Sequence, residues 1–138
     1  MNIKLSSEEL NIIQMFEYLT DVDCLDCYID KEGKVIFLIV DKGQLKKAVG
    51  KNGRNTKFLE ETTNMKVKIS EYSNDIKEFV KNLISNVKDV VLTDNGNLII
   101  TVEKYARPFV LGRERRNLEI YKRLLSKSFN NIKEIYIK

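Results

Sequence analysis

Histidine is absent from the 138 residues, which removes the side chain that most often carries protons in catalysis near neutral pH. Carboxylates could take that role, but no stretch of the sequence groups them into a catalytic set. Cysteine is scarce as well, with Cys24 and Cys27 the two in the chain. A structural zinc site needs about four Cys, His or carboxylate ligands, and a redox CxxC opens a helix inside a βαβ pattern. CLDCYI reads instead as a strand, where an odd spacing sends the two side chains to opposite faces. No metal, no cofactor and no redox centre is expected, and the pair reads as ordinary reduced cysteines. No apolar run is long enough to cross a membrane, and MNIKLSSEEL lacks the apolar core of a signal peptide. The expectation is a soluble, cytoplasmic protein without a membrane partner.

What the chain does have is charge, and unevenly placed. The net charge is only +4. Residues 6–32 hold eight acidic side chains and one lysine, whereas 42–57 hold Lys42, Lys46, Lys47, Lys51, Arg54 and Lys57 with no acid. A second basic block runs from Lys104 to Lys127, with eight cations against Glu114 and Glu119. The acidic stretch reads as a solvated face turned away from any polyanion.

Inside the first basic block lies AVGKNGRNTKF, where Gly50 and Gly53 stand three apart around a lysine and an asparagine. Glycine pairs at that spacing arise by chance in about half of chains this long, so the context decides between a solvated turn and a phosphate clamp. The context is a duplication. At an offset of 62, Val40 matches Val102, Lys42 matches Lys104, Gly50 matches Gly112, Lys51 matches Arg113, Arg54 matches Arg116 and Asn55 matches Asn117. Upstream the register slips by one, pairing Phe16 with Phe79 and Gly33 with Gly96.

Each half reads as the same series of elements. A capping box from Ser6 to Glu9, with a staple between Leu5 and Leu10, starts a helix to about Leu19. Its counterpart is a helix through Ile76, Phe79, Val80, Leu83, Ile84 and Val87, capped by Ser73 or Asn74. Two β-rich runs around a glycine turn follow in each half, CYIDKEGKVIFLIV and VVLTDNGNLIITV. A short helix then ends at the glycine loop, and the lone proline, Pro108, falls in the first turn of its second copy. A longer helix and a closing strand complete each copy, the strands at Met65–Ile69 and Glu134–Ile137. The fold class is therefore α+β, a three-stranded sheet covered on one face by helices, twice.

With the loop placed between two helices, the chain resembles two tandem KH domains of type II, in which an extra helix and strand precede the core. The first spans 1–71 and the second 72–138. The pair is similar to that of the NusA family of transcription termination and antitermination factors, and AVGKNGRNTKFLEE is close to that family's loop signature. Bacterial members carry a polymerase-binding domain and a barrel for which 138 residues leave no room, so the match is to the short archaeal form. The resemblance implies a monomeric, non-enzymatic protein that binds single-stranded RNA, with RNA polymerase as a further candidate partner. It implies RNA contacts from Lys47, Gly50, Lys51, Asn52, Gly53, Arg54 and Lys57, and from Gly112, Arg113, Arg115 and Arg116 in the second copy.

The residues agree with that implication. Glycines bring the backbone close to a phosphate, the following helix offers free N–H groups, and the cations add charge. No aromatic stacking platform like that of an RNA-recognition motif is visible, so base selection is expected to be modest. The second loop, GRER, places Arg115 at the second glycine and Glu114 against an anion, and so ranks below the first. Two rival readings are a KH-fold interaction or assembly module that has lost RNA, and a nuclease with carboxylate-bound magnesium.

Overall fold

The computed structural model of the protein describes residues 5–138. The chain forms two compact units that part between Tyr72 and Ser73. The architecture is α+β, with one three-stranded sheet in each unit.

The first unit opens with α1 (Ser7–Thr20). Its capping box forms as the sequence suggests: the Glu9 amide donates to Ser6 Oγ at 3.1 Å and the Ser6 amide donates to Glu9 Oε1 at 3.0 Å. Glu9 is buried, and its second oxygen accepts from the Ile29 amide at 3.2 Å, so the cap also fastens α1 to the sheet. Strands β1 (Cys24–Asp30) and β2 (Val35–Val40) pair antiparallel, and β3 (Lys66–Glu71) lies parallel to β2 on its other side. Between β2 and β3 the chain runs through α2 (Leu45–Val49), a 3₁₀ turn and α3 (Arg54–Thr63). Phe16 of α1, Ala48 of α2 and Leu59 of α3 pack on Cys27, Ile36, Leu38 and Val40. Phe37 and Ile39 are buried on the opposite face, which makes β2 apolar throughout, as a central strand requires.

The cysteines correct the strand reading. A bulge between Cys24 and Asp26 adds a residue to β1, so Cys24 pairs with Val40 and Cys27 with Leu38. Val40 and Leu38 share a face, and both cysteines therefore meet the helix-side core instead of pointing apart. Both are free thiols, and burial pushes Cys24 up to about 12.

The second unit repeats the order with α4 (Ile76–Leu83), β4 (Val87–Leu92), β5 (Asn97–Val102), α5 (Arg107–Leu111), α6 (Arg116–Ser128) and β6 (Glu134–Ile137). Its sheet has the same order and directions. The cap of α4 differs from expectation: Asp75 is the N-cap, accepting from the Lys77 amide at 3.0 Å, while Ser73 Oγ accepts from the Asp75 amide. The helix is also shorter than its apolar spacing suggests. Ile84 is already extended, Asn86 takes a left-handed turn at φ 65°, and Val87 begins β4. Ile84 is buried by leaving the helix, a placement that periodicity alone cannot distinguish from one more helical turn. α6 buries Leu118, Tyr121, Leu124 and Leu125 at helical spacing, and Leu98, Ile100 and Val102 of β5 alternate inward beneath the helices. Among the described residues no helix is long and apolar enough to cross a membrane.

Candidate nucleic-acid interface

The loop between α2 and α3 is built by two glycines with different duties. Gly50 has φ 82° and ψ 167°, a region open only to glycine, and a Cβ there would stand 2.8 Å from the Asn55 side-chain nitrogen. Asn55 fills that space because its Nδ2 donates to the Ala48 and Lys47 carbonyls at 3.2 and 3.3 Å, stapling the end of α2 to the start of α3. Gly53 is left-handed at φ 73°, and a Cβ on it would meet nothing within 4 Å. The second glycine thus faces open space, where another molecule can approach the backbone.

The helix that follows is left open at its start. α1 and α4 both have side-chain caps, from Ser6 and Asp75, but α3 has none after Gly53. The Gly53 and Arg54 amides donate to the Gly50 and Lys51 carbonyls of the turn, so what the loop presents is the positive end of the α3 dipole without a side chain over it. Lys51, Asn52, Arg54 and Lys57 are exposed around this end, and Gly53 is half-buried. Asn52 sits at φ 57°, a left-handed conformation that asparagine tolerates better than most residues. Lys47 lies apart from this group: its Nζ is 3.6 Å from Asp21 Oδ2 at the end of α1. With both side chains largely exposed, that ion pair is weak, and Lys47 can be drawn to a stronger anion.

The second loop keeps the backbone and changes the side chains. Gly112 repeats Gly50 at φ 76° and ψ 171°, Glu114 repeats Asn52 at φ 54°, and Arg115 repeats Gly53 at φ 61°. Asn117 repeats Asn55, with Nδ2 donating to the Phe109 carbonyl at 3.0 Å. α6 also begins without a side-chain cap. Arg113, Glu114 and Arg115 are exposed and Arg116 is half-buried. Other cations of the second block have structural partners: Arg107 Nε donates to the Ile137 carbonyl at 3.3 Å, and Lys122 Nζ binds Glu134 Oε1 at 2.9 Å. That bond raises the Lys122 ammonium above its ordinary value and lowers the Glu134 carboxyl.

Asn55 and Asn117 are the site residues that reading for charge and glycine passes over. Their signal is in the sequence all the same, as a matched pair five residues after Gly50 and Gly112. Among the described residues, no group of three or more acidic, cysteine or histidine side chains is arranged to hold a metal ion.

No protein-family model matches the chain. Curated proteins named probable transcription termination protein NusA do. That of Methanococcus vannielii is 32% identical over 86% of this chain and 70% of its own length. That of Methanocaldococcus jannaschii is 35% identical over 85% of this chain, which spans 66% of it. That of Halococcus morrhuae is 26% identical and covered over 95% of its length. Among solved structures, the crystal structure of APE1850 superposes with a TM-score of 0.73 at 28% identity, covering 97% of this chain and all of that one.

Proposed function

This chain belongs to the NusA family of transcription termination proteins, and from that premise we propose that it holds single-stranded RNA during transcription through the loop between α2 and α3. Each unit is then a type II KH domain, the first ending near Glu71 and the second running to Lys138. One observation carries the reading: an uncapped helix start, a glycine whose open side admits a phosphate, and the cations Lys51, Arg54 and Lys57 all meet at one exposed loop. The phosphate would sit against the Gly53 backbone at the positive end of the α3 dipole while the cations line the strand's path. The groove between the two loop helices and β3 would take about four unstacked nucleotides. RNA polymerase is a candidate partner through the family resemblance alone. The second loop supports weaker phosphate binding, because Glu114 adds a negative charge where the first loop has Asn52.

The test is the double substitution Lys51→Asp with Asn52→Asp. Both positions are exposed, aspartate tolerates the left-handed conformation of residue 52, and both glycines remain. Binding to a single-stranded RNA is expected to disappear while circular dichroism stays native. For the unmodified protein, neutralising about four phosphates gives a log-log salt slope of about −3. Unchanged affinity in the double variant, or a slope near zero, would remove the loop from the interface.

A further inference from the structure

Tyr105 and Phe109 leave their rings in water, at 71% and 79% exposure. They stand one turn apart where the 3₁₀ segment Lys104–Ala106 runs into α5, so they share a face. Together they line a cleft of about 340 Å³ with Ala106, Val110, Tyr121 of α6, and Ser85 and Asn86 of the α4–β4 turn. The Tyr105 hydroxyl donates to Asn86 Oδ1 at 3.2 Å, which ties that ring to the turn. The corresponding positions of the first unit, at the same offset of 62, are Gly43 and Lys47. The second copy has therefore exchanged a glycine and a lysine for two rings, and at its loop an asparagine and a glycine for Glu114 and Arg115. The first exchange removes a cation and adds flat aromatic surface, and the second adds a carboxylate and a cation together.

We infer that this cleft is a base-stacking subsite for a single-stranded nucleic acid, which rests on the RNA-binding reading above and adds to it a contact apart from the first unit's loop. The surroundings fit a nucleotide. Lys104 precedes the rings in sequence and Arg113 follows them past Gly112, both exposed, so a phosphate joined to the stacked base has cations within the same stretch of chain, whereas Arg107 is held to the sheet at the Ile137 carbonyl. Ser85 and Asn86 add polar groups at the cleft edge for the rim of a base. Stacking on rings tolerates any base, because every base has a π-face. An apolar peptide would cover the rings but bring nothing for the cations.

The full chain is titrated with a fluorescent single strand of about ten RNA nucleotides, and with a strand of equal length whose sugars carry no bases. The protein should prefer the strand with bases. Tyr105→Ala with Phe109→Ala should weaken that strand about tenfold and leave the baseless strand and the salt slope unchanged, since no charge is removed. Tyr105→Phe, which keeps the ring, should retain the preference. The two side chains are mostly exposed, so the melting transition of the double variant should match that of the parent. If the parent binds RNA and the double variant binds it equally well, the stacking subsite is overturned, the RNA reading stands, and the rings are left to a protein partner. If the parent binds neither strand, the RNA reading falls and the subsite with it.

Discussion

Gly50 and Gly53 are both glycine for backbone reasons, but only Gly50 is also closed by a neighbour, and the two should respond differently to alanine. At Gly53 the left-handed conformation is strained for any L-residue, a cost of about 1 kcal/mol with no clash. At Gly50 the backbone is in a glycine-only region and a methyl group collides with Asn55, so Gly50→Ala should cost about 2–3 kcal/mol in urea unfolding. Equal losses would mean that Asn55 can swing away without consequence. Arg115 already bears the Gly53-type strain in the second unit, and Arg115→Gly should raise stability by up to about 1 kcal/mol. Cys24 offers a chemical check at the same scale. With its thiol pushed up to about 12 by burial, it should react with iodoacetamide at pH 8 far more slowly than a free cysteine, and speed up on unfolding. Rapid alkylation of the native protein would show that β1 opens at the bulge. The sign for stability follows from the same shift: the folded thiol holds its proton above its ordinary 9.0, so stability declines as pH rises from there towards 12.

Elements with a local chemical signature are legible in this sequence, and elements set by partners across the fold are not. The Ser6–Glu9 box fixes the start of α1 because both halves of its reciprocal bond lie within four residues. The strands around both hairpins are visible in their β-branched runs, and the loop-to-helix passages in their glycines. The bulge in β1 has no such mark: Leu25 looks like one more strand residue, and only its pairing with β2 shows the extra step that turns Cys24 inward. The end of α4 is hidden for a related reason, since Ile84 and Val87 continue a helical stripe while in fact Ile84 lies in the turn and Val87 begins β4. At the loop, glycines and charge can be read from spacing, whereas the Asn55 staple depends on where α2 ends in space. The Lys122–Glu134 bond joins α6 to β6 and gives an element-scale prediction. Glu134 is lowered in the fold, so its contribution is present above the ordinary carboxyl value of 4.5 and is lost as pH falls through the lower folded value. Glu134→Gln should therefore destabilise the protein at pH 6 and make no difference at the acid end. A gap that persists in acid would point to packing instead of charge.

At the scale of the whole chain, what matters is how short the connecting segment between the two units is. The Tyr72 amide still donates to the Val40 carbonyl at 2.7 Å, as a continuation of β3, and the Asp75 amide already donates to Ser73 Oγ as part of the α4 cap. No residue lies between these two sets of bonds, since Tyr72 is followed directly by Ser73, and the segment is far from the Gly/Ser composition of a flexible tether. If both units touch one strand, the second contact is intramolecular, and its effective concentration depends on the length of chain between the units. Inserting about ten Gly/Ser residues between Tyr72 and Ser73 spares the Tyr72 bond and the α4 cap while releasing the joint. Affinity for a strand long enough to reach both units should fall, and affinity for a strand of about four nucleotides should hold, since it occupies one groove in either protein. The pairing of long and short strands matters because an insertion that merely damaged folding would weaken both alike. Should long-strand affinity survive the insertion unchanged, the units bind independently or the first unit binds alone, and the charge in the second block serves some purpose other than extending the RNA path.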